Sequence, residues 1–400
     1  MRSLEQELEC RLQEIRESGL WRELRRVESP TGPRLTLAGR SLLNFSSNDY
    51  LGLAHHQALA EAAAKATRDF GSGSGASRLI SGSLTPHHQL EECLAVFKRC
   101  EAALSFSSGY AAALGTITAL VGPEDVVVLD KRVHACCVDA ARLSEAKLRV
   151  FAHNDLNELE GILKWARQRL SSAVGNPGGN ILVITESVFS MDGDCAPLTE
   201  LVDLKDRYGA WLMLDEAHAL GVLGPTRRGL AEQAGVAERV EIQLGTLGKA
   251  VGASGGFVAG SRQLVDYLIN RARSFIFSTA PIPAAAAAAE AGVRLVASEE
   301  GARRHSQLWS NVRCLSSALR AGGLAAAEPT SAILPLMVGG ETAAVELSAQ
   351  FRGAGFFVPA VRFPTVARGQ ARLRLTVTAE HDASDLLQFA DVFRKATPTP

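Results

Sequence analysis

Short, continuous apolar runs separated by helical stretches most constrain what this chain of 400 residues can fold into. The runs lie at 126–129, 181–185, 211–214, 241–244 and 256–258. A strand that faces water on one side alternates apolar and polar residues, whereas a continuous apolar run is typical of a strand buried on both faces. The pattern therefore predicts an α/β fold with a large, doubly wound, mainly parallel sheet that helices cover.

The pattern changes along the chain and predicts three parts. Residues 1–55 are expected to form a helical arm over about 3–26, lying on a partner, and then a hairpin near 35–40. Residues 56–290 contain the large sheet, and residues 291–400 form a smaller α+β domain that packs with the arm. The predicted helices lie at 58–69, 88–99, 110–120, 291–322, 341–353 and 383–395, and further strands lie at 332–338, 356–361 and 371–378.

Charge and cysteine content exclude several classes of protein. Lys+Arg 42 against Asp+Glu 43 gives a net charge of −1, so no general positive field attracts nucleic acid or an anionic membrane. The seven cysteines form no CxxC pair, which argues against a disulfide framework and favours a reducing cytoplasm. The charged first residues do not resemble a signal peptide, and the alanine run 284–289 is too short to span a bilayer. Residues 171–180 are rich in Ser, Gly and Pro, which predicts a surface loop.

Chemically active side chains follow three of the apolar runs. Glu186 follows the second run, Asp215 and His218 follow the third, and Lys249 follows the fourth. Ligands of such sheets bind at the carboxyl ends of the strands. Pyridoxal 5′-phosphate (PLP) needs an amine for its aldehyde and an anion facing its pyridine nitrogen. We therefore expect a PLP site in which Lys249 supplies the amine, Asp215 the anion and His218 a contact to the ring oxygen.

A second set of residues suits the cofactor's phosphate and ring. Segment 107–110 opens a predicted helix, and the first N–H groups of a helix favour an anion. His134 follows the first apolar run and is expected to lie flat against the ring. The expected phosphate ligands are Gly109, Tyr110, Thr246, Ser278 and Thr279.

Each of these residues has a simpler explanation when taken alone. An aspartate after a strand is most often a helix N-cap, a histidine a core residue, and a lysine between glycines a solvated loop residue. Their joint occurrence at successive strand ends favours the site. Cys136-Cys137 is interpreted as buried filler near His134, and a reactive thiol stays an alternative.

Rival motifs lack their required context. Segment 243–250 has Gln243 and Ala250 where a P-loop needs glycine and a hydroxyl residue. Segment 71–76 matches a dinucleotide-binding pattern but follows a predicted helix and not a strand. The adjacent histidines at 55–56 and 87–88 do not have ligand spacing, so no metal site is predicted.

Longer motifs resemble the α-oxoamine synthases, PLP enzymes of the aspartate-aminotransferase fold, type I. Among them, ESVFSMDGD at 186–194 and ARLRLTVTAEH at 371–381 look most like members that condense L-alanine with a pimeloyl thioester in biotin synthesis. The matching segments span essentially the whole chain, at 44–53, 71–82, 107–109, 186–194, 214–224, 245–261, 277–283 and 361–381.

The resemblance implies roles for the cofactor residues. Lys249 resembles the lysine that binds PLP covalently and then removes the α-proton of the amino acid, and Asp215 resembles the partner of the pyridinium. His218 resembles the ligand of the ring hydroxyl and His134 the stacking residue. Glu186 and Ser190 would lie beside the cofactor. Ser278 and Thr279 would come from the other subunit of a homodimer.

The resemblance also implies substrate contacts. Arg362 resembles the clamp for the amino acid carboxylate, a task that suits a bidentate guanidinium, with Asn48 nearby. Arg22 is a candidate for the far carboxylate of the acyl chain. Cys136-Cys137 and Phe363 depart from the usual Ser-Leu and proline, which leaves the substrate selectivity open.

Relatives that use other amino acids stay open alternatives. 5-Aminolevulinate synthase and 2-amino-3-ketobutyrate CoA ligase use glycine, serine palmitoyltransferase uses serine, and all share the cofactor residues. The acyl carrier, coenzyme A or acyl carrier protein, is also open. A regulator that keeps PLP without catalysis is disfavoured, because the residues before the sheet leave too little room for a DNA-binding domain.

Overall fold

The computed structural model describes residues 2–172, 178–323 and 328–396. Its helices are α1 Leu4–Glu17, α2 Gln57–Phe70, α3 Thr85–Lys98, α4 Gly109–Leu120, α5 Ala135–Leu143, α6 Leu156–Ser171, α7 Leu198–Arg207, α8 Leu230–Gln233, α9 Arg262–Arg271, α10 Arg273–Ile276, α11 Pro283–Ala297, α12 Glu299–Ala321, α13 Glu341–Gly353 and α14 Ala383–Ala396. Its strands are β1 Arg34–Leu37, β2 Arg40–Asn44, β3 Ala102–Phe106, β4 Val126–Asp130, β5 Lys147–Phe151, β6 Ile181–Glu186, β7 Trp211–Asp215, β8 Ile242–Thr246, β9 Gly256–Gly260, β10 Ile333–Gly339, β11 Phe356–Phe357, β12 Ala360–Val361 and β13 Ala371–Thr376.

A seven-stranded sheet forms the centre, in the order β3-β9-β8-β7-β6-β4-β5. The strands from β8 to β5 pair in parallel, as the apolar runs predict. β9 pairs antiparallel with both β8 and β3, so the expectation of a parallel strand at 256–258 is wrong. The short connection from β8 to β9 is the physical reason, because a parallel crossover needs a dozen or more residues. The edge strands β3 and β5 were not among the predicted runs.

Both faces of this sheet are buried, which explains the continuous apolar runs. In β4, Val126 and Val128 belong to one core cluster, whereas Val127 and Leu129 belong to the cluster on the other face. Successive side chains of a strand point to opposite faces, so every position of the strand is in a core. Helices cover each face, and the predicted α/β architecture is confirmed.

The carboxyl-terminal part contains a small antiparallel sheet in the order β10-β13-β12. The predicted hairpin is present as β1 and β2, and β2 also pairs in parallel with β11, which joins the two ends of the chain. The expected single helix over 291–322 is wrong: Ser298 has an extended backbone and caps α12, so two helices meet there. The division at residues 55 and 290 stays a proposal.

The amino-terminal arm differs from the expected helix over 3–26. α1 ends at Glu17, Gly19 takes a positive φ of 68°, and the chain then runs without helix. None of the α1 residues is buried. Residues 173–177 of the predicted loop at 171–180 lie outside the described residues. Among the described helices, none is long and apolar enough to cross a membrane.

Candidate active site

The carboxyl ends of three neighbouring strands bring the predicted acidic residues together. Parallel pairing places Glu186 of β6 opposite Asp215 of β7, and Asp215 opposite Leu244 of β8. Glu186 is 2% exposed and Asp215 is 6% exposed. The loop after β8 then carries Lys249 to the same edge, as predicted.

Lys249 lies in a turn that packs against the loop after β2. Gly252 donates its backbone N–H to the carbonyl oxygen of Lys249 at 2.8 Å and has a positive φ of 75°. A Cβ at Gly252 would lie 2.5 Å from the carbonyl carbon of Leu53, so only glycine allows this approach. The opposing loop is held by Asp49, whose carboxylate accepts from the backbone N–H groups of Leu53 and Ala54.

His218 links Lys249 to a tyrosine of that loop. Lys249 Nζ lies 2.8 Å from His218 Nε2, and Tyr50 Oη lies 2.6 Å from His218 Nδ1. Burial, and then the charge of Lys249, hold the pKa of His218 well below its ordinary value. Burial also lowers the pKa of Lys249. The pair therefore favours a neutral imidazole beside an amine that gives up its proton more readily than a solvated lysine.

The two carboxyl groups have pKa values above their ordinary ones. Burial, and then the nearby Asp215, raise the pKa of Glu186 to about 8. Burial raises the pKa of Asp215 as well, while Lys249 and the N–H of Ala217 oppose that shift. Ser190 donates its backbone N–H to Glu186 Oε2 at 3.2 Å, but buried Glu186 Oε1 has no hydrogen-bond partner in the described part of the chain. A site with these groups is built to receive a polar ligand.

The amino terminus of α4, where the sequence predicts a phosphate site, lies beside this edge. Ser108 caps the helix by accepting the N–H of Ala111 at 3.1 Å. A Cβ on Gly256 would lie 2.5 Å from the backbone nitrogen of Gly109, so the start of β9 is pressed against the helix start. Thr246 lies alongside, since a Cβ on Gly109 would be 3.7 Å from its Cβ. Tyr110 points elsewhere and donates its hydroxyl to Asp139 at 2.9 Å.

His134 caps the start of α5, where it meets a cysteine. Its Nδ1 accepts the backbone N–H of Cys136 at 3.3 Å and lies 3.0 Å from the Cys136 Sγ atom. That contact with the cysteine raises the pKa of His134. Contact with the Cys137 thiol, and then with His134, lowers the pKa of Cys136 to about 6. Both cysteines are buried near His134, as the sequence predicts, and Cys136 also contacts the imidazole.

A buried arginine connects Asn48 with the loop of Ser190. Arg374 is 8% exposed, donates Nε–H to the carbonyl oxygen of Ser190 at 2.5 Å, and lies 3.2 Å from Asn48 Oδ1. Its remaining partner is the hydroxyl of Thr376. No carboxylate pairs with this guanidinium among the described residues. The sequence interpretation missed Arg374, although the motif at 371–381 contains it.

Four other predicted residues are not brought to Lys249 within this chain. Arg362 donates to the backbone carbonyl oxygens of Gly19 and Trp21, so it holds the arm. Arg22 is exposed. Ser278 donates to the carbonyl oxygen of its neighbour Thr279, and no hydrogen bond of the described residues links either one to the Lys249 cluster.

Comparisons with known proteins agree with this arrangement. The model of the family described as aminotransferase class I and II matches residues 40–393. The 8-amino-7-oxononanoate synthase of Geobacter sulfurreducens is 48% identical over 375 residues, which cover 94% of each chain. That of Exiguobacterium sibiricum is 43% identical and covers 97% of each chain. The chain therefore belongs to the aminotransferase class I and II family.

Solved structures in the family share the fold. A serine palmitoyltransferase of Sphingomonas wittichii has a TM-score of 0.90 at 30% identity, covering 99% of this chain and 98% of its own. A structure of SPT with PLP has a TM-score of 0.89 at 29% identity, covering 99% of this chain and 98% of its own. The 8-amino-7-oxononanoate synthase of Francisella tularensis has a TM-score of 0.73 at 26% identity, covering 88% of this chain and 97% of its own. The predicted α-oxoamine synthase resemblance and type I fold are confirmed.

Proposed function

We propose that this chain is an acyltransferase that condenses L-alanine with a pimeloyl thioester. The products are 8-amino-7-oxononanoate, carbon dioxide and the free thiol carrier, as a step of biotin synthesis. Relatives named 8-amino-7-oxononanoate synthase, 40–48% identical over nearly the full length, support this assignment. That identity is the observation that carries the choice of substrates, whereas the Lys249–His218 pair at 2.8 Å and the buried carboxylates Asp215 and Glu186 support the PLP chemistry that all these relatives share.

The residues present fit PLP as the cofactor. Lys249 would hold its aldehyde carbon, Asp215 its pyridine nitrogen and His218 its ring hydroxyl. Gly109 and Thr246, where the backbones of α4 and β9 meet, would hold its phosphate. When bound, PLP supplies an electron sink for the negative charge that remains when the α-proton or carboxylate of the amino acid leaves. The same ring nitrogen would place a cation beside Asp215 and so oppose the effect of burial on its pKa.

The chain's own contribution to the chemistry is control of one proton. Because burial lowers the pKa of Lys249, more of the amine is unprotonated and available to accept the α-proton of alanine. A neutral His218 that accepts from Lys249 at Nε2 carries its proton on Nδ1 and can donate it to Tyr50. Tyr50 Oη lies 3.5 Å from Asn48 Oδ1, so its proton has an acceptor. This chain of contacts fixes where the Lys249 amine points.

For the amino acid carboxylate we propose Arg374 in addition to Arg362 and Asn48. Arg374 is a buried cation that no carboxylate of the described residues pairs with, and a carboxylate of the substrate would supply the opposite charge. Arg362 would have to release the arm, because its guanidinium is engaged with Gly19 and Trp21. Arg22, exposed on that arm, stays the proposal for the far carboxylate of the acyl chain.

A second copy of the chain and a reducing compartment are further parts of the proposal. Ser278 and Thr279 lie outside the Lys249 cluster of their own chain, and a partner in a homodimer would bring them to the phosphate. All seven cysteines are free thiols, which the cytoplasm would preserve. Coenzyme A and acyl carrier protein are both proposed carriers of the acyl group.

An assay of thiol release separates this function from its relatives. Alanine, glycine and serine are each combined with pimeloyl-, acetyl- and succinyl-CoA, and the free thiol is measured. We expect the highest kcat/KM for alanine with pimeloyl-CoA. A preference for serine would favour the second candidate, a serine-using enzyme, which the TM-score of 0.90 to a serine palmitoyltransferase supports. A preference for glycine with a short acyl group would contradict the proposal.

A further inference from the structure

Two adjacent cysteines beside the cofactor residues have no part in the proposed reaction. Cys136 and Cys137 lie in the first turn of α5, directly after His134, and are 3% and 0% exposed. Their Sγ atoms are 4.0 Å apart. His134 itself is exposed, so a small solute can approach the thiols from its side.

The donor atoms around these thiols converge. Cys136 Sγ, Cys137 Sγ and a carboxylate oxygen of Asp215 all lie within 4.8 Å of one another, and all three residues are buried. His134 Nδ1 lies 3.0 Å from Cys136 Sγ but accepts the backbone N–H of Cys136, so it adjoins this group without belonging to it. Two sulfurs and a carboxylate oxygen form a donor set that suits Zn²⁺ and other thiophilic divalent cations, with water as a further ligand.

The spacing of these atoms is close to that of a tetrahedral ion. With Zn–S bonds of about 2.3 Å, two sulfurs of a tetrahedral site lie about 3.8 Å apart, and sulfur and oxygen about 3.6 Å apart. The observed Sγ–Sγ distance of 4.0 Å is within about 0.2 Å of this geometry. The Asp215 oxygen lies within 4.8 Å of both sulfurs, so reaching a sulfur–oxygen separation of about 3.6 Å needs a shift of at most about 1.2 Å. Rotation of one side chain supplies such a shift.

Binding of the ion balances without a redox step. The two S–H bonds of Cys136 and Cys137 break, two metal–sulfur bonds form, and the two protons go to solvent.

We propose that the apoprotein binds one thiophilic divalent cation at Cys136, Cys137 and Asp215, and that this ion and PLP exclude each other. The exclusion rests on the proposed function, because Asp215 is the residue assigned to the pyridine nitrogen of the cofactor. An ion on these ligands withdraws the carboxylate that PLP needs. The site therefore makes the apoprotein, and not the loaded enzyme, sensitive to such metals.

Titration of the full-length apoprotein with Co²⁺ tests the metal site directly. Thiolate ligands give Co²⁺ an intense charge-transfer absorption, and we expect it to saturate at one ion per chain. The variants C136S and C137S should each lose most of the band, whereas C10S, which changes an exposed cysteine, should keep it. A band that persists in both C136S and C137S would overturn the site. PLP absorbance of each variant shows whether it still folds.

Competition in the unchanged protein tests the exclusion and needs no variant. With Zn²⁺ at ten times its Kd, we expect the PLP concentration for half-saturation to rise roughly tenfold, and a chelator should reverse the effect. An unchanged PLP half-saturation would overturn the exclusion. If the chain bound no PLP at all, the proposed function would fail, while the Co²⁺ band would still report on the metal site.

Discussion

Two clusters of histidine and carboxylate lie at the same edge of the central sheet and differ in how their charges are matched. His153 donates between Asp130 and Asp194, with N–O distances of 3.1 and 2.7 Å. In the Lys249 cluster, the amine pairs with His218, and no hydrogen bond among the described residues joins either one to Asp215 or Glu186. The acids and the base of the His153 cluster are joined by hydrogen bonds, whereas, in the described part of the chain, the acids of the Lys249 cluster are not joined to its bases.

The pKa shifts follow this difference. The two aspartates outweigh burial and raise the pKa of His153 to about 9, so this histidine is charged and paired at neutral pH. Burial is the largest cause at the Lys249 cluster, where it lowers the pKa of His218 and raises the pKa of Glu186 to about 8. Mismatched, shifted groups are typical of functional sites, whereas matched ones are typical of structural ties. His153 ties the loop of Asp194 to β4 and β5, which positions Ser190 and Glu186.

The largest effect that the comparison predicts comes from Lys249→Ala. Turnover should fall by at least about 10⁴-fold, because the variant loses both the covalent attachment and the base. The visible absorption of the lysine-bound cofactor should disappear, while thermal unfolding of the apoprotein should change little, since Lys249 has no carboxylate partner to lose. Steady-state kinetics, absorption spectra and calorimetry measure the three quantities. A variant that kept both turnover and absorption would contradict the proposed site.

His153→Ala should have the opposite profile. Loss of a charged histidine from two hydrogen bonds should lower the free energy of unfolding by about 2–3 kcal/mol, as measured by urea denaturation. The cofactor absorption should still form. His55→Ala is the matched control: His55 pairs with Glu380 but is 44% exposed, so its loss should cost less than about 1 kcal/mol. Equal losses of unfolding free energy in the two variants would show that the hydrogen bonds of His153 contribute no more to stability than the exposed pair of His55.

The two clusters should also change the free energy of unfolding over different ranges of pH. The folded-state pKa of His153 lies near 9, above its unfolded value of 6.5, so its contribution is present below pH 6.5 and is lost as pH rises through about 9. The pKa of Glu186 is about 8 in the fold and 4.5 in the unfolded chain. Glu186 therefore lowers the free energy of unfolding progressively as the pH rises between those two values. Glu186→Gln should remove the decline that begins near pH 4.5 and stabilise the apoprotein above pH 8 by at most about 5 kcal/mol.

Urea denaturation of the apoprotein at a series of pH values measures both contributions. The apoprotein is used because a bound cofactor would add charge beside Asp215. A decline between pH 4.5 and 6.5 that persists in Glu186→Gln would assign it to another group, and the comparison would lose its electrostatic basis.

The sequence predicted the Lys249 cluster better than the His153 cluster, for a physical reason. Parallel strands end at one edge, so residues after successive apolar runs had to meet, and Glu186, Asp215, His218 and Lys249 follow such runs. His153 follows β5, an edge strand in which only one residue of five is buried, so no apolar run marked it.

Contacts between distant segments could not be predicted either. Tyr50 reaches His218 across 168 residues, and Arg374 reaches Asn48 across 326 residues. No local pattern specifies such pairs. The family resemblance covered both segments, at 44–53 and 371–381, but it assigned a role only to Asn48. β9 was expected to be parallel because an apolar run carries no information about strand direction.

Tyr50→Phe makes the smallest change and tests whether the Lys249 cluster depends on one hydrogen bond. The variant keeps the buried ring and removes the hydroxyl at 2.6 Å from His218 Nδ1. Without that acceptor, the imidazole loses its fixed tautomer and the Lys249 amine its fixed direction, so kcat should fall about tenfold. The KM for the acyl donor should stay nearly constant, because Tyr50 is buried and lies against His218 and not in the arm. A pH profile of kcat that is unchanged in shape and height would place Tyr50 among the structural residues, and the cluster would then have to orient its amine through His218 alone.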